Sequence, residues 1–258
     1  LFDPNGGAKD LEEGKVIFIG NADNRIQEDY LRILRYVRFF INYSNHPHNS
    51  SVKKSIKQNI AGVANLSKER LMSELKKIIL SKNFLQLSKD SFSLEILTTI
   101  FPQLVNLNNL EKINEYSKNI FYKKTFIFLI SYLIIDETDN ANYFLFKYNL
   151  SNEDKKRVKF LIENHELFSE KDYFNKKNLQ RIFYFYNKSY VIDLLDLKIF
   201  NSKTAPKKLI ELKKYFEQFE KPIFPLKAQD LLEKYKLKEG KEFGQKIRLL
   251  EDLWLNNS

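Results

Sequence analysis

Apolar residues recur every three or four positions along most of the chain from about residue 25 onward, which is the spacing of amphipathic α-helices. This periodicity predicts helices at residues 25–43, 50–64, 67–81, 91–100, 109–118, 120–135, 139–148, 151–167, 176–186, 188–200, 205–219, 227–236 and 240–256. Ser67 and Ser151 stand where a hydroxyl side chain caps a helix N-terminus. The apolar run at residues 125–135 predicts a buried helix, because it is much shorter than the ~20 residues of a membrane span.

A β-strand is predicted only at residues 15–19 (KVIFI), after a turn at residues 3–7 (DPNGG). A single strand is not stable without a neighbour, so it pairs with another segment or with a sheet outside this sequence. Because the chain opens at Leu1 without an initiator methionine, we expect the sheet to belong to a preceding part of a longer polypeptide. The predicted fold class is therefore mainly α, with one N-terminal strand left over.

Charge narrows the range of partners. The 258-residue chain has 43 Lys and Arg against 33 Asp and Glu, a formal charge of +10, which favours nucleic acid or an anionic membrane surface as partner. Neither a signal peptide nor a membrane-spanning run is predicted. The absence of cysteine excludes disulfides and thiol chemistry and fits a cytoplasmic protein.

The basic excess is concentrated near the C-terminus. Four lysines there are candidate contacts for RNA phosphates: Lys207, Lys208, Lys213 and Lys214. The alternative is an ordinary solvated helix face.

Arginine is concentrated in another segment. Four of the eight arginines lie between residues 25 and 38, beside Glu28 and Asp29. On a helical wheel, Glu28, Asp29, Arg32 and Arg35 share one polar face. One interpretation is a pair of surface ion pairs, Arg25–Asp29 and Glu28–Arg32, each contributing only ~0.2–0.5 kcal/mol. The other is base recognition, because a guanidinium fork and a carboxylate together match the donor–acceptor edge of a nucleobase.

Three N-terminal stretches carry a family resemblance: residues 3–11 (DPNGGAKDL), 16–21 (VIFIGN) and 25–35 (RIQEDYLRILR). They resemble the DPxGGxxDL turn, the last strand of the catalytic head and the neck motif RxxEDxLRxLR of the bacterial class II tRNA nucleotidyltransferase and poly(A) polymerase family. Residues 67–79 resemble the ERxxxELxKIL helix of that family, and residues 225–254 resemble its tail phrase, with Ala228 where the family usually has Gly. Residues 85–220 contain no recognisable motif of the family and resemble it only in their helical pattern.

The resemblance implies an enzyme that adds C and A to tRNA 3′ ends from CTP and ATP without a nucleic-acid template, or a poly(A) polymerase. Asp29 and Arg32 would pair with the incoming base, Glu28 would orient Arg32, and Arg35 would help to hold the nucleotide. Gly6 and Gly7 would form a flexible turn. The helix carrying Glu69, Arg70 and Glu74 would support the neck.

The resemblance also implies a domain order. Residues 1–24 would end an α/β nucleotidyltransferase head, residues 25–82 would form the nucleotide-recognising neck, residues 83–202 a helical body and residues 203–258 a basic tail that binds tRNA. The family's metal-binding DxD pair and its GGxVRD and RRD motifs precede the DPxGG turn and do not occur in this sequence. We therefore expect Mg²⁺ to be held by a head supplied in cis or as a separate chain, and this chain alone to be inactive. A non-catalytic RNA-binding subunit of a split enzyme is the alternative.

Two other groups of residues have a structural and a functional interpretation. His46 and His48 are either a metal clip or ordinary loop histidines, and no third ligand is near them in sequence. The aromatic-rich helices around residues 121–128 and 183–186 either stack bases or, as is far more common in helical proteins, fill the core.

Overall fold

The computed structural model describes residues 3–170, 172–235 and 240–257. Within these ranges the chain forms α-helices and short 3-10 helices and no β-strand. The α-helices are α1 (Gly7–Glu12), α2 (Ala22–Glu28), α3 (Leu31–Tyr43), α4 (Ser50–Asn59), α5 (Lys68–Ile79), α6 (Ser91–Ile100), α7 (Glu115–Phe121), α8 (Phe126–Ile134), α9 (Asn140–Lys147), α10 (Asn152–His165), α11 (Lys176–Phe185), α12 (Lys188–Phe200), α13 (Lys207–Gln218), α14 (Ala228–Tyr235) and α15 (Lys241–Asn257). The 3-10 helices are Ile60–Asn65, Phe84–Lys89, Leu107–Lys112 and Glu166–Ser169.

The chain divides into two compact units. The first contains Leu1–Glu163 and Phe200–Thr204, and the second contains Asn164–Ile199 and Ala205–Ser258. The predicted division at residues 24, 82 and 202 is a functional one and stays a prediction. Parts of the predicted segments lie outside the described residues, namely residues 1 and 2, residue 171, residues 236–239 and residue 258.

The strand predicted at residues 15–19 is not formed in the part of the chain that the structure describes. Burial alternates along this segment as in a strand: Val16 and Phe18 are partly buried, whereas Ile17 and Ile19 are 56% and 60% exposed. Phe18 stacks on Tyr36 with 5.5 Å between ring centroids. The alternating sequence is present, but a strand also needs a hydrogen-bonded neighbour, and no described segment supplies one.

Side-chain caps explain where the predicted helices begin and where they are interrupted. The predicted caps Ser67 and Ser151 accept hydrogen bonds from the backbone N–H groups of Arg70 and Asp154, at 3.3 and 3.1 Å. The continuous helix predicted at residues 109–118 is wrong, because Asn114 leaves the helix and accepts from the Ser117 N–H at 2.9 Å to start α7. The short helix α1 and the 3-10 helix Phe84–Lys89 were not predicted, since each is too brief to show a clear period, and the start of α2 at Ala22 was not predicted either.

Helix α8 is the buried centre of the first unit, as its apolar sequence predicts. All nine of its residues are buried. The last carbonyls of a buried helix need donors from outside the helix, since they have no partner within it. The Asn106 amide donates to the carbonyls of Tyr132 and Ile135 at 2.9 and 2.8 Å, and the Asn140 amide donates to the Ile134 carbonyl at 2.7 Å.

A buried ion pair lies within the second unit. The Lys213 ammonium on α13 donates to the Asp196 carboxylate on α12 at 2.7 Å, with side-chain exposures of 6% and 0%. The prediction of Lys213 as an RNA contact is therefore wrong. Lys213 lies on the same face of α13 as buried Leu209 and Phe216, which its four- and three-residue spacing from them would have indicated.

Removal of this buried cation should destabilise the fold. We expect Lys213→Met to lower the free energy of unfolding by ~3–5 kcal/mol, because the buried Asp196 carboxylate loses its ammonium partner. The measurement is urea denaturation followed by circular dichroism. Lys214→Met is the matched control; Lys214 is exposed, so its loss should change stability by no more than ~0.5 kcal/mol. Equal effects of the two substitutions would contradict the structural role of Lys213.

Candidate nucleotide-binding site

The arginine-rich segment is two helices and not one. Helix α2 ends at Glu28, Asp29 is extended (φ −155°, ψ 102°), and α3 begins at Leu31. The Asp29 carboxylate accepts from the Leu31 N–H at 3.2 Å, so this side chain helps to start α3. The prediction of one continuous helix at residues 25–43 is therefore wrong, because a short acidic side chain can compete for backbone N–H groups and end a helix.

Glu28 lies between two arginines. Its carboxylate accepts from Arg25 Nη1 at 2.5 Å and from Arg32 Nη1 at 2.7 Å. Arg32 Nη1 also donates to the Arg25 carbonyl at 2.7 Å, which fixes the plane of the guanidinium. The predicted Glu28–Arg32 contact is formed, and Arg25 contacts Glu28 in place of Asp29. The hydrogen bonds from Arg32 first, and then from Arg25, lower the pKa of Glu28 below its ordinary value of 4.5.

Asp29 contacts the neighbouring helix α5. Arg70 Nη2 donates to both Asp29 carboxylate oxygens, at 2.9 and 3.0 Å. One turn further along α5, the Glu74 carboxylate is 1% exposed and accepts from Arg38 Nε on α3 at 2.5 Å. The predicted supporting residues Arg70 and Glu74 thus join α5 to the segment that carries the candidate site. Glu69 is exposed in the first turn of α5, where a negative charge complements the helix dipole.

Tyr30, the residue after Asp29, packs against Gly62. A Cβ atom at position 62 would lie 2.1 Å from Tyr30 Cε1, far inside van der Waals contact. Glycine is therefore required at position 62 because the Tyr30 ring lies too close for a Cβ atom, and not because of the backbone conformation. The sequence offers no periodic signal for this contact.

Three arginines and several apolar side chains line a cleft of about 180 Å³. The arginines are Arg25, Arg32 and Arg35, and the other lining residues are Val16, Ile17, Phe18, Ile19, Tyr36 and Phe39. Within the described residues Arg35 makes no ion pair, and its side chain is exposed. Guanidiniums suit phosphates or base edges, and the aromatic rings suit the face of a base. The aromatic residues were not predicted as site residues, although the i,i+4 pairs Arg32–Tyr36 and Arg35–Phe39 would have indicated them.

The predicted glycine turn is present near the N-terminus. Gly6 has φ +70°, and the Asp3 carboxylate accepts from the N–H groups of Ala8 and Gly7 at 2.7 and 2.9 Å. These bonds, the one from Ala8 first, lower the pKa of Asp3. The turn thus starts α1, and its flexibility stays a prediction.

His46 and His48 hold loops in place. His48 Nδ1 and Nε2 lie 2.9 Å from Tyr36 Oη and Asp90 Oδ1, and its ring stacks on Phe40 with 3.4 Å between centroids. His46 Nε2 lies 2.9 Å from the Glu13 carbonyl. No group of three or more His, Cys, Asp or Glu residues in the described ranges could hold a metal ion.

The aromatic-rich helices are mostly core. Phe121, Phe128 and Phe183 are 0%, 1% and 4% exposed. As for membranes, none of the helices in the described ranges is both long and apolar enough to cross a bilayer.

Comparison with known proteins supports the family resemblance. Residues 49–107 match the family described as "Probable RNA and SrmB- binding site of polymerase A". The mitochondrial CCA tRNA nucleotidyltransferase 1 of Mus musculus is 31% identical over 267 residues, which cover 98% of this chain and 58% of the mouse protein. A CCA-adding enzyme of Lactococcus lactis subsp. cremoris is 25% identical over 262 residues, covering 100% of this chain and 61% of that enzyme.

The fold also matches that of a solved structure. The crystal structure of Bacillus stearothermophilus CCA-adding enzyme in complex with CTP matches with a TM-score of 0.68 at 17% identity, over 99% of this chain and 64% of that one. The resemblance to the tRNA nucleotidyltransferase and poly(A) polymerase family, including its helical fold, is therefore confirmed. Within that family, the two relatives and the solved structure are CCA-adding enzymes. The chain spans about three fifths of the length of these proteins.

The arginines around Glu28 should be visible in its titration. We expect the Glu28 carboxyl to titrate below 4.5 in the folded chain and to move towards that value in Arg32→Ala. Because the folded pKa is the lower one, the favourable Glu28 interaction is complete above the unfolded pKa and is lost as the pH falls through the folded pKa. The measurement is a carboxyl NMR titration.

Arg181→Ala is the control for this titration, since Arg181 lies in the second unit and should not affect Glu28. A Glu28 carboxyl that titrates at or above 4.5 in the parent chain would contradict the structural assignment of the Arg25–Glu28–Arg32 cluster.

Proposed function

We propose that this chain is the base-selecting and RNA-binding part of a CCA-adding tRNA nucleotidyltransferase, which adds C and A to tRNA 3′ ends from CTP and ATP. The observation that carries the proposal is the cleft where Arg25, Arg32 and Arg35 meet aromatic side chains, with Glu28 bonded to Arg32 and Asp29 following Glu28 in the chain. The names of the relatives, and the CTP bound to the Bacillus stearothermophilus enzyme, support the same substrates.

Base selection rests on Asp29 and Arg32 in this proposal. Arg32 is held by Glu28 through one terminal nitrogen, which leaves its other N–H groups for the base edge or a phosphate. Asp29 can accept from the base at the lone pairs that Arg70 does not occupy. Arg35 is proposed to bind the triphosphate, because it is exposed at the cleft and makes no ion pair among the described residues.

RNA binding is proposed for two parts of the chain. Residues 49–107 match a family whose description names an RNA-binding site. On α13, Lys207, Lys208 and Lys214 are exposed and remain candidates for phosphate contacts once buried Lys213 is excluded. We propose tRNA as the RNA and a cytoplasmic location.

The described residues do not fit Mg²⁺. Nucleotidyl transfer by two metal ions needs several carboxylates around the triphosphate. No such cluster occurs in the described ranges, and Asp196 faces Lys213 in the core. From the family resemblance we propose that Mg²⁺ is held by a catalytic head, in cis or as a separate chain. Poly(A) addition and a non-catalytic RNA-binding subunit are the alternatives. Incorporation of CTP would distinguish CCA addition from poly(A) addition.

The purified chain should not incorporate nucleotides on its own. It would be incubated with tRNA that lacks its 3′ CCA, Mg²⁺, CTP and ATP, and the RNA length would be read on a denaturing gel. No extension is expected, because the described residues supply no Mg²⁺ ligands. Extension above background would refute the assignment of metal chemistry to a separate head.

Arg32→Lys tests the base-reading role. It keeps the charge but loses the planar fork, so we expect the preference for CTP and ATP over UTP and GTP to fall by ~1–3 kcal/mol, or about 5- to 150-fold. The melting temperature should barely change, since a surface helical ion pair contributes only a few tenths of a kcal/mol. The measurements are equilibrium binding of the four nucleotides to the chain and thermal denaturation.

Arg181→Lys is the matched control for Arg32→Lys. Arg181 forms an ion pair with Asp252 in the second unit, so its replacement should leave nucleotide preference unchanged. If Arg32→Lys melts much lower yet keeps the parent's preference, the arginine cluster is structural and the base-reading role is refuted.

A further inference from the structure

A series of hydrogen bonds leads from the start of α6 to the nucleotide cleft. The Asp90 carboxylate oxygens lie 2.9 and 3.0 Å from His48 Nε2, and His48 Nδ1 lies 2.9 Å from the Tyr36 hydroxyl oxygen. Tyr36 lines the cleft, whereas His48 and Asp90 do not. We call these three side chains the Tyr36–His48–Asp90 triad. They come from α3, from the segment between α3 and α4 and from the residue before α6.

The triad is largely closed off from solvent. The side chains of His48 and Asp90 are 9% and 16% exposed, and Tyr36 is 4% exposed. The imidazole lies nearly parallel to the Phe40 ring, with 3.4 Å between centroids, and meets the Phe92 ring edge to face at 4.8 Å. Because these rings pack against the imidazole, its orientation is fixed by packing as well as by hydrogen bonds.

The charge of Asp90 sets the direction of the hydrogen bonds. Burial would raise the Asp90 pKa, but the hydrogen bonds from His48 and Ser93 outweigh burial and hold this pKa below its ordinary value of 3.8. An ionised carboxylate only accepts, so His48 Nε2 carries the hydrogen, and Nδ1 of the neutral ring is the acceptor. The Tyr36 hydroxyl therefore donates to Nδ1. Burial first, and then the charge of Asp90, raises the pKa of Tyr36, so its hydroxyl keeps the proton that it donates.

Tyr36 in turn contacts a second aromatic residue of the cleft. Its ring stacks on that of Phe18, with 5.5 Å between centroids and 12° between the ring planes. Phe18 lies in residues 15–19, which form neither a helix nor a strand in the described part of the chain. The place of the Phe18 ring therefore depends on side-chain contacts such as this stack. A change in the orientation of Tyr36 would move both rings, which together form the aromatic wall of the cleft.

A purely structural explanation is that the triad only attaches a loop to α6. Asp90 does serve the fold, because it also accepts from the Ser93 N–H at 3.1 Å and so caps α6. That cap does not require the second half of the triad, in which His48 continues to the Tyr36 hydroxyl. The two explanations differ in a measurable way, because only a positioning role changes nucleotide affinity in variants that stay folded.

We infer that His48 and Asp90 are positioning residues for nucleotide binding, which hold Tyr36 and Phe18 in place as the aromatic wall of the cleft. The inference rests on the proposed function and extends it to two residues that do not line the cleft. The ligand is the base of CTP or ATP, whose face an aromatic ring can pack against. In metal sites, partners that orient a ligand side chain change affinity or activity by ~10- to 100-fold, and we expect an effect at the lower end of that range.

Two matched substitutions each remove one buried hydroxyl. Tyr36→Phe removes the donor to His48 but keeps the ring, and we expect it to weaken CTP binding to the full 258-residue chain by about 10-fold. Tyr148→Phe is the control. The Tyr148 hydroxyl is buried without a hydrogen-bond partner in the described structure and lies outside the cleft, so its loss should leave CTP affinity unchanged. Affinity is measured by calorimetry at a temperature at which circular dichroism shows that every variant is folded.

Substitutions of His48 test whether a conservative change rescues binding. His48→Phe keeps a ring against Phe40 but removes both hydrogen bonds, so it should weaken CTP binding at least as much as Tyr36→Phe. His48→Asn keeps an acceptor bonded to Cγ, where histidine has Nδ1, and can still accept from the Tyr36 hydroxyl. We therefore expect His48→Asn to bind CTP more tightly than His48→Phe.

Asp90→Asn provides a spectroscopic readout that a structural role would not affect. Asparagine caps helices as well as aspartate does, so the melting temperature should change little. An amide can donate as well as accept, which permits the other imidazole tautomer, as in the serine protease triad when its aspartate is replaced by asparagine. Nitrogen NMR of the His48 ring shows which nitrogen carries the hydrogen. We expect Nε2–H in the parent chain, and Nδ1–H together with weaker CTP binding in Asp90→Asn.

The outcomes separate this inference from the proposed function. If the parent chain discriminates among nucleotides but Tyr36→Phe and Asp90→Asn keep its CTP affinity, the inference is overturned and base selection stands. An equal loss of affinity in Tyr148→Phe would also overturn the inference, because the effect would be a general one.

A parent chain without nucleotide preference would refute the proposed function, and the positioning role would then be decided by nuclear Overhauser effects between the rings of Phe18 and Tyr36. Loss of this ring contact in His48→Phe would support the role of the triad in holding the aromatic wall. An unchanged contact would overturn it.

Discussion

The attachment of α3 to α5 through the buried carboxylate of Glu74 is the interaction on which the first unit's functional surfaces depend. A carboxylate that is 1% exposed is stable as an anion only with a cation beside it, and Arg38 supplies that cation from the other helix. The Asp29–Arg70 pair joins α5 to the extended residue between α2 and α3. Helix α3 contributes Arg32, Arg35, Tyr36 and Phe39 to the nucleotide cleft, so the two ion pairs connect α5 to a wall of that cleft.

The arginines in this region show why a structural and a functional role need not exclude each other. Arg25, Arg32, Arg38 and Arg70 all contact carboxylates, which is the ordinary ion-pair interpretation of the cluster. A guanidinium has five N–H groups, however, and Glu28 engages only one nitrogen of Arg32. Lysine in the same position would direct its charge to the carboxylate without presenting a planar edge beside it. The ion pairs therefore orient the groups that the proposed function uses.

Much of the fold could be predicted from the sequence, because long apolar periods and serine caps are local signals. The helix at residues 91–100 and the buried helix around residues 126–134 follow directly from them. The break at Asp29 could not be predicted, because it depends on a side-chain hydrogen bond to Leu31 and a pair with Arg70, which lies 41 positions away. The strand at residues 15–19 failed for a related reason, since β-structure depends on a partner and not only on the segment's own sequence.

The site was predicted in part for the same physical reasons. The Glu28–Arg32 contact spans four residues and was predicted; the cleft's aromatic residues were not singled out. Lys213 was misassigned because a basic cluster was considered without its helical face, although buried Leu209 and Phe216 lie on that face. The local charge pattern thus predicted which residue types form the site. It did not predict which basic side chains are exposed to solvent.

The contact between Gly62 and Tyr30 has a consequence for how variation in this chain should be interpreted. Position 62 lies in a 3-10 helix and does not line the nucleotide cleft, so a survey of substitutions would class it as remote from function. Every other amino acid would place an atom inside the Tyr30 ring and push on the residue that follows Asp29. If substitutions at position 62 are not tolerated, the cause would be an altered geometry of the nucleotide site. The effect would reach that site through the displaced Tyr30, although residue 62 itself contacts no ligand.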